Sequence, residues 1–146
     1  MSPAPPPERL TPPERAILPE RLTPGERALA DEVLAGRGVV VNVRKAGPHA
    51  RLVPWLADHG LLVYVGHAGT RHGWPESDFA NPFHREARLD REGMVARYRD
   101  WLAGAPDLLD RLAAGELRGR ALGCWCAPRT CHADVLLEYG DRDAHR

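Results

Sequence analysis

The stretch that most constrains this chain is residues 122–132, Leu-Gly-Cys-Trp-Cys-Ala-Pro-Arg-Thr-Cys-His, which holds all three cysteines. Up to Cys126 it is small or apolar and carries no helix cap, and Pro128 cannot continue a helix. Thr130 or Cys131 can open one, with Val135, Leu136 and Tyr139 as its apolar face. The pattern therefore predicts strand, tight turn, helix. Alternate strand residues share a face, so Cys124 and Cys126 are expected on one side and Trp125 on the other. The turn should bring Cys131 and His132 to the end of the strand, beside unpaired helix N–H groups and the positive end of the helix dipole. Thiols there ionise readily, and anions dock there.

Two further strands are expected upstream. Residues 38–45, Gly-Val-Val-Val-Asn-Val-Arg-Lys, and residues 60–66, Gly-Leu-Leu-Val-Tyr-Val-Gly, are β-branched or apolar runs of the buried type. Between them Leu52, Val53, Trp55 and Leu56 suggest a short helix that Pro54 breaks. Strand, crossover and strand within about 30 residues form a βαβ unit with parallel strands. Residues 67–84 then form a long irregular segment, rich in histidine and aromatics, which is expected to be functional, with Phe83 anchoring it in the core. Residues 91–103 read as an amphipathic helix with Met94, Val95, Tyr98, Trp101 and Leu102 on one face, and Pro106 opens another before Gly115. The expected fold is a small Rossmann-like α/β three-layer sandwich over residues 38–140, with a mainly parallel sheet of at least three strands. Ligands of such sheets bind outside the strand carboxyl ends. Here those ends are Arg44 and Lys45, Gly66 and His67, and the segment from Cys126 to His132.

Residues 7–16 return almost unchanged as residues 19–28, each copy carrying Thr-Pro-x-Glu, a helix-capping sequence. The second copy, Thr23 with Glu26, should start a helix over residues 23–37, ended by Gly36 or Gly38. Pro19 cuts the first copy short, so residues 1–22 are expected to be a flexible proline-rich arm, with residues 1–30 available to a protein partner. Residues 141–146 should fray.

Twenty Lys plus Arg balance twenty Asp plus Glu, so no global basic field holds nucleic acid, although a local patch could. Three cysteines within eight positions cannot form a disulfide framework. No stretch approaches the ~18 apolar residues that a bilayer crossing needs, and the N-terminus has no apolar leader. The expectation is a cytoplasmic protein with no membrane contact.

The motifs at residues 41–44, Val-Asn-Val-Arg, residues 63–66, Val-Tyr-Val-Gly, residues 81–83, Asn-Pro-Phe, and the closing Cys-Trp-Cys-x-Pro-x-x-Cys-His resemble a bacterial and phage family, domain of unknown function 4326. The resemblance covers about residues 38–140. The Cys-x(4)-Cys-His turn is also similar to that of domain of unknown function family 488. Both resemblances imply a Rossmann-like fold with a site at the strand-to-helix turn, and neither implies a reaction. His67 stands where the first family resemblance implies arginine.

Three site readings follow. In the first, Arg44, Lys45, Gly66, His67, Asn81 and Arg129 bind a phosphate-bearing nucleotide or nucleoside-like small molecule, with Trp74 or Trp125 stacking on its base. No cofactor is needed. In the second, Cys124, Cys126, Cys131 and His132 hold zinc in a non-enzymatic module, although Cys-x-Cys is tighter than the usual zinc knuckle. In the third, Cys126 or Cys131 is a reactive thiol of depressed pKa, His132 is its catalytic partner, Asp134 orients the imidazole, and His67, His72 and His84 supply acid or base.

Overall fold

The computed structural model describes residues 18–69 and 73–144, the side chains of residues 140–144 excepted. The first copy of the duplication, and with it most of the expected arm, lies outside the described residues, as does His72. The α-helices and strands described before the last strand are α1 (Pro24–Leu34), β1 (Val39–Asn42), α2 (Leu52–Asp58), β2 (Leu62–Tyr64), α3 (Arg91–Ala103) and α4 (Pro106–Ala113). A 3-10 helix at His84–Arg88 lies before α3, and β3 (Ala121–Cys124) and α5 (His132–Ala144) close the chain. The last helix thus runs beyond Gly140, where it was expected to stop.

The three strands form one parallel sheet in the order β1-β3-β2. The strands of the expected βαβ unit are therefore not neighbours, because β3 lies between them. All four β3 residues are buried, whereas every residue of β2 is partly exposed. A strand without polar or exposed positions belongs in the middle, covered on both faces and both edges. Val39, Val41, Leu62 and Ala121 pack with α1 and α2 on one face of the sheet. Val40, Val63 and Leu122 pack with α3, α4 and α5 on the other, which gives the three expected layers.

Local chemistry explains where the helices start and stop. Thr23 and Glu26 form the expected capping box, and Gly36 follows α1 at φ 87°, a left-handed value that glycine adopts without strain. Pro54 does not break α2. It is the third helical residue, within the first turn, where no intrahelical N–H is required. Phe83 packs partly buried against the core as expected, and Phe79 anchors the long segment more deeply: it is buried, and its carbonyl accepts from Tyr98 Oη at 2.7 Å.

Candidate functional site

Because the strands are parallel and in register, with Asn42 opposite Cys124 and Tyr64 opposite Gly123, their carboxyl ends share one rim. Asn42 ties β1 to the cysteine turn. Its Nδ2 donates to Ala127 O at 2.8 Å and its Oδ1 accepts from Arg44 N at 2.9 Å, while its own N–H donates to His49 Nδ1 at 2.8 Å. An asparagine inside a β-branched run was the available signal for this role. Gly66 lies two residues beyond β2 and leaves room for the tyrosine ring: a Cβ there would lie 2.6 Å from Tyr64 Oη. Tyr64 Oη in turn accepts from Trp125 Nε1 at 2.6 Å and donates to His67 O. On the other side of the turn, His132 Nε2 donates to Val65 O at 2.7 Å, so the first residue of α5 is bonded to the end of β2.

The three thiols meet. Cys131 Sγ lies 3.4 Å from Cys124 Sγ and also hydrogen-bonds Cys126. Cys124 and Cys131 are buried, whereas Cys126 is partly exposed. The hydrogen bond from Cys131, against the opposing effect of burial and with Arg91 and Arg129 beside it, lowers the Cys126 pKa to about 5. Cys131 moves the opposite way from the expectation. Its hydrogen bonds to Cys124 and Cys126, together with burial, keep it protonated, so it is the donor and not a second thiolate. Cys131 has one hydrogen for two neighbours. We assign the ionised partner as Cys126, since arginines act on it and none acts on Cys124.

His132 is buried and held neutral. Burial, opposed by the bond to Val65 and reinforced by the charges of His67 and His84, lowers its pKa to about 4. Its ring meets Tyr98 edge-on, at a centroid distance of 5.0 Å. Asp134 does not orient it. Asp134 Oδ2 accepts from Cys131 N at 2.9 Å, closing the N-terminus of α5. The zinc set is correspondingly incomplete: among the described residues no group of three or more His, Cys, Asp and Glu is arranged to hold a metal ion. The sulfurs converge, while Nε2 of His132 is bonded to a backbone carbonyl.

A cavity of about 470 Å³ opens at this rim. Arg44, Gly66, His67, Asn81, Cys126, Arg129, Cys131 and His132, all expected at the site, line it together with Cys124 and Trp125. Arg88, Arg91 and His84 line it too. The four arginines share the lining with no aspartate or glutamate, and none of them is in an ion pair among the described residues. Arg91 Nη1 donates to Thr130 O at 2.9 Å, which bridges the start of α3 to the cysteine turn. Arg88 and Arg91 were not singled out from the sequence. Their spacing across a helix start carried a signal, but it was lost in a chain rich in arginine throughout.

Some expected contacts do not form. Lys45 and Trp74 line a separate recess of about 220 Å³, and Trp74 stacks on Tyr64 at 4.9 Å instead of facing the cavity. The side chain of Asn81 is taken internally, its Oδ1 accepting from Phe83 N at 2.9 Å and its Nδ2 facing Met94 Sδ. Both nitrogens of His67 are occupied, by Glu76 Oε1 at 2.6 Å and by Asn81 O at 2.7 Å. His67 therefore shapes the wall and offers no spare ring nitrogen, while Asn81 spends one N–H and one lone pair within the fold.

Fold and site together define a small α/β protein with an arginine-lined cavity over a cysteine turn. Residues 49–142 match the family described as Domain of unknown function (DUF4326), and the chain belongs to that family. The match begins after β1, later than residue 38, so Asn42 and Arg44 reach the site from outside the matched stretch. No curated protein and no solved structure matches the chain. No described helix is long and apolar enough to cross a membrane.

Proposed function

We propose that the rim cavity binds a phosphate-bearing nucleotide or nucleoside-like ligand. The observation that supports this reading is a lining of four guanidiniums with no carboxylate among them. Arginines without carboxylate partners around a concave site attract and fork onto phosphate oxygens. About 470 Å³ is ample for a nucleoside and its phosphates. Trp125, with its Nε1 held by Tyr64, gives a fixed aromatic edge for a base. Cys126 is the group that acts on the ligand in this reading, as a thiolate facing the cavity between arginines.

Calorimetric titration with pyrophosphate and a panel of nucleoside diphosphates tests the proposal. Arg88→Ala combined with Arg129→Ala should weaken binding by at least about tenfold, the scale of a lost charge-assisted contact pair. Unchanged affinity in the double variant, or no binding by the native chain, would end the reading. The alternative, a zinc-stapled module, has the three contacting thiols in its favour. It requires about one zinc per chain in protein purified without added metal, and unfolding on chelation.

A further inference from the structure

The rim cavity has a neighbour. Beside it lies the recess of about 220 Å³ that Lys45 and Trp74 line, and Arg44 lines both spaces. Arg44 is thus the wall that the two share, and neither it nor Lys45 is in an ion pair among the described residues. Apart from these two cations, every residue lining the recess is apolar or aromatic, with Val53, Pro54 and Trp74 among them. The recess is smaller than the ~300 Å³ at which a pocket begins to enclose a whole small ligand, so it fits one part of a larger one. An aromatic ring beside cations is the combination that takes a flat base with a phosphate next to it.

A fixed aromatic wall joins the two spaces. Trp74 stacks on Tyr64 with ring centroids 4.9 Å apart, and Tyr64 meets Trp125 edge-on at 6.5 Å, its hydroxyl accepting from Trp125 Nε1. Trp125 lines the cavity, Trp74 lines the recess, and each is partly exposed. Gly69 locks the wall. Its backbone pairs with that of Trp74 in both directions, at 2.9 and 3.2 Å, and a Cβ on it would lie 3.4 Å from Trp125 Cζ2 and 3.6 Å from Trp74 Cβ. Tryptophans held in this way have little freedom left to lose when a ring stacks on them, which favours binding.

We propose that the ligand is two nucleosides joined through phosphate. The joining phosphate lies at Arg44 with the other cavity arginines, one base lies along Trp125 in the rim cavity, and the second rests on Trp74 in the recess beside Lys45. This rests on the anion-binding reading above and extends it to the chemical class of the ligand. A mononucleotide occupies the rim cavity and leaves Lys45, Trp74 and their recess without a role. The same chemistry is offered by the end of a nucleic-acid strand and by a free dinucleotide linked through pyrophosphate. Because the chain as a whole has no net charge, the attraction is confined to this rim and involves few phosphates.

Calorimetric titration of the full chain tests it with three ligands that each carry two phosphates: a dinucleotide with a phosphodiester link and a terminal phosphate, a dinucleotide linked by pyrophosphate, and the matching nucleoside diphosphate. Equal phosphate count leaves the second base as the difference. The tighter of the two joined ligands should bind at least about tenfold better than the nucleoside diphosphate, near the lower end of what one base stacked on an aromatic ring contributes. Which joined ligand is the tighter tells a strand end from a free dinucleotide. Trp74→Ala should bring that ratio to about one, and Trp74→Phe should restore most of it. Lys45→Ala, at an exposed position outside the aromatic wall, should lower the ratio severalfold at low salt and reads the recess even if Trp74→Ala fails to fold. Equal binding of all three ligands by the native chain, or a ratio unchanged in the Lys45 variant and in whichever Trp74 variant folds, overturns the second base. Binding of none of the three sinks the anion reading and this extension together, whereas diphosphate binding that depends on Arg88 and Arg129, with no gain from a second base, sinks the extension alone.

Discussion

Two polar clusters sit at helix starts, and they are built in opposite ways. At the entry to α2, the Glu26 carboxylate is buried and entirely satisfied from within: it accepts from Thr23 N at 3.0 Å and from Arg51 N and Leu52 N at 2.9 Å each. One acidic side chain thereby caps two helices. At the entry to α5, the cysteine turn is surrounded by arginines for which the described residues supply no carboxylate. A buried charge must find partners inside the fold. Cations gathered around a cavity with no carboxylate to neutralise them repel one another, and in the proposed reading a ligand anion relieves that repulsion. The first cluster is therefore architecture and the second is the proposed anion site, although both consist of charged groups beside helix N-termini.

The comparison breaks most readily at Glu26. Glu26→Ala leaves three N–H donors without their acceptor, and it should cost on the order of 4 kcal/mol in urea unfolding. A loss below about 1 kcal/mol, the worth of an ordinary surface cap, would show that water replaces the carboxylate and that the two clusters do not differ in kind.

The next effect is in pH. The unfolded chain protonates His132 near 6.5, whereas burial holds the folded ring neutral down to about 4. Its stabilising contribution is thus present above about pH 6.5 and is lost as pH falls toward 4, by about 3 kcal/mol in all. Burial opposes but the backbone N–H bonds of Thr23, Leu52 and Arg51 prevail in lowering the Glu26 pKa. Its contribution is present above the unfolded carboxylate value and disappears at still lower pH, as the folded value is crossed. Unfolding midpoints of the native chain and His132→Gln should converge across the upper window, and parallel curves would sink the assignment.

A smaller shift sharpens the description of the site itself. The rate of Cys126 alkylation should rise through a midpoint near pH 5, and Arg91→Met should move that midpoint up by about one unit. An unmoved midpoint would assign the lowering of the Cys126 pKa to the hydrogen bond from Cys131 alone. The smallest effect is on stability at the rim: Arg88→Ala and Arg129→Ala should each change it by less than about 0.5 kcal/mol, because neither side chain is in a carboxylate ion pair among the described residues.

Much of this was legible before any coordinates. Strand, turn and helix around the cysteines follow from Pro128 and the apolar spacing beyond it, and the capping box follows from Thr23 and Glu26, since both depend on neighbours a few residues away. Arg44, Cys126, Arg129 and His132 were also placed on one rim from parallel strand direction alone. The spacing of the motif suggests His132 as a catalytic partner, whereas its bond to Val65 fastens the ring just beyond β2, a contact between residues far apart in sequence. Lys45 adjoins Arg44 in sequence, and both line the smaller recess, yet only Arg44 also lines the rim cavity, which adjacency does not encode.

The amino-acid order by itself therefore determined the elements, their parallel direction and the rim at which their ends meet, because capping, periodicity and strand direction are local or topological. Tertiary structure alone decided that β3 lies between β1 and β2, that Arg88 and Arg91 join Arg44 and Arg129, and that Cys126 rather than Cys131 carries the charge. Those outcomes depend on which side chains packing brings together from distant parts of the chain and on which sulfur is left beside a guanidinium, and neither is written in the spacing of residues along the chain.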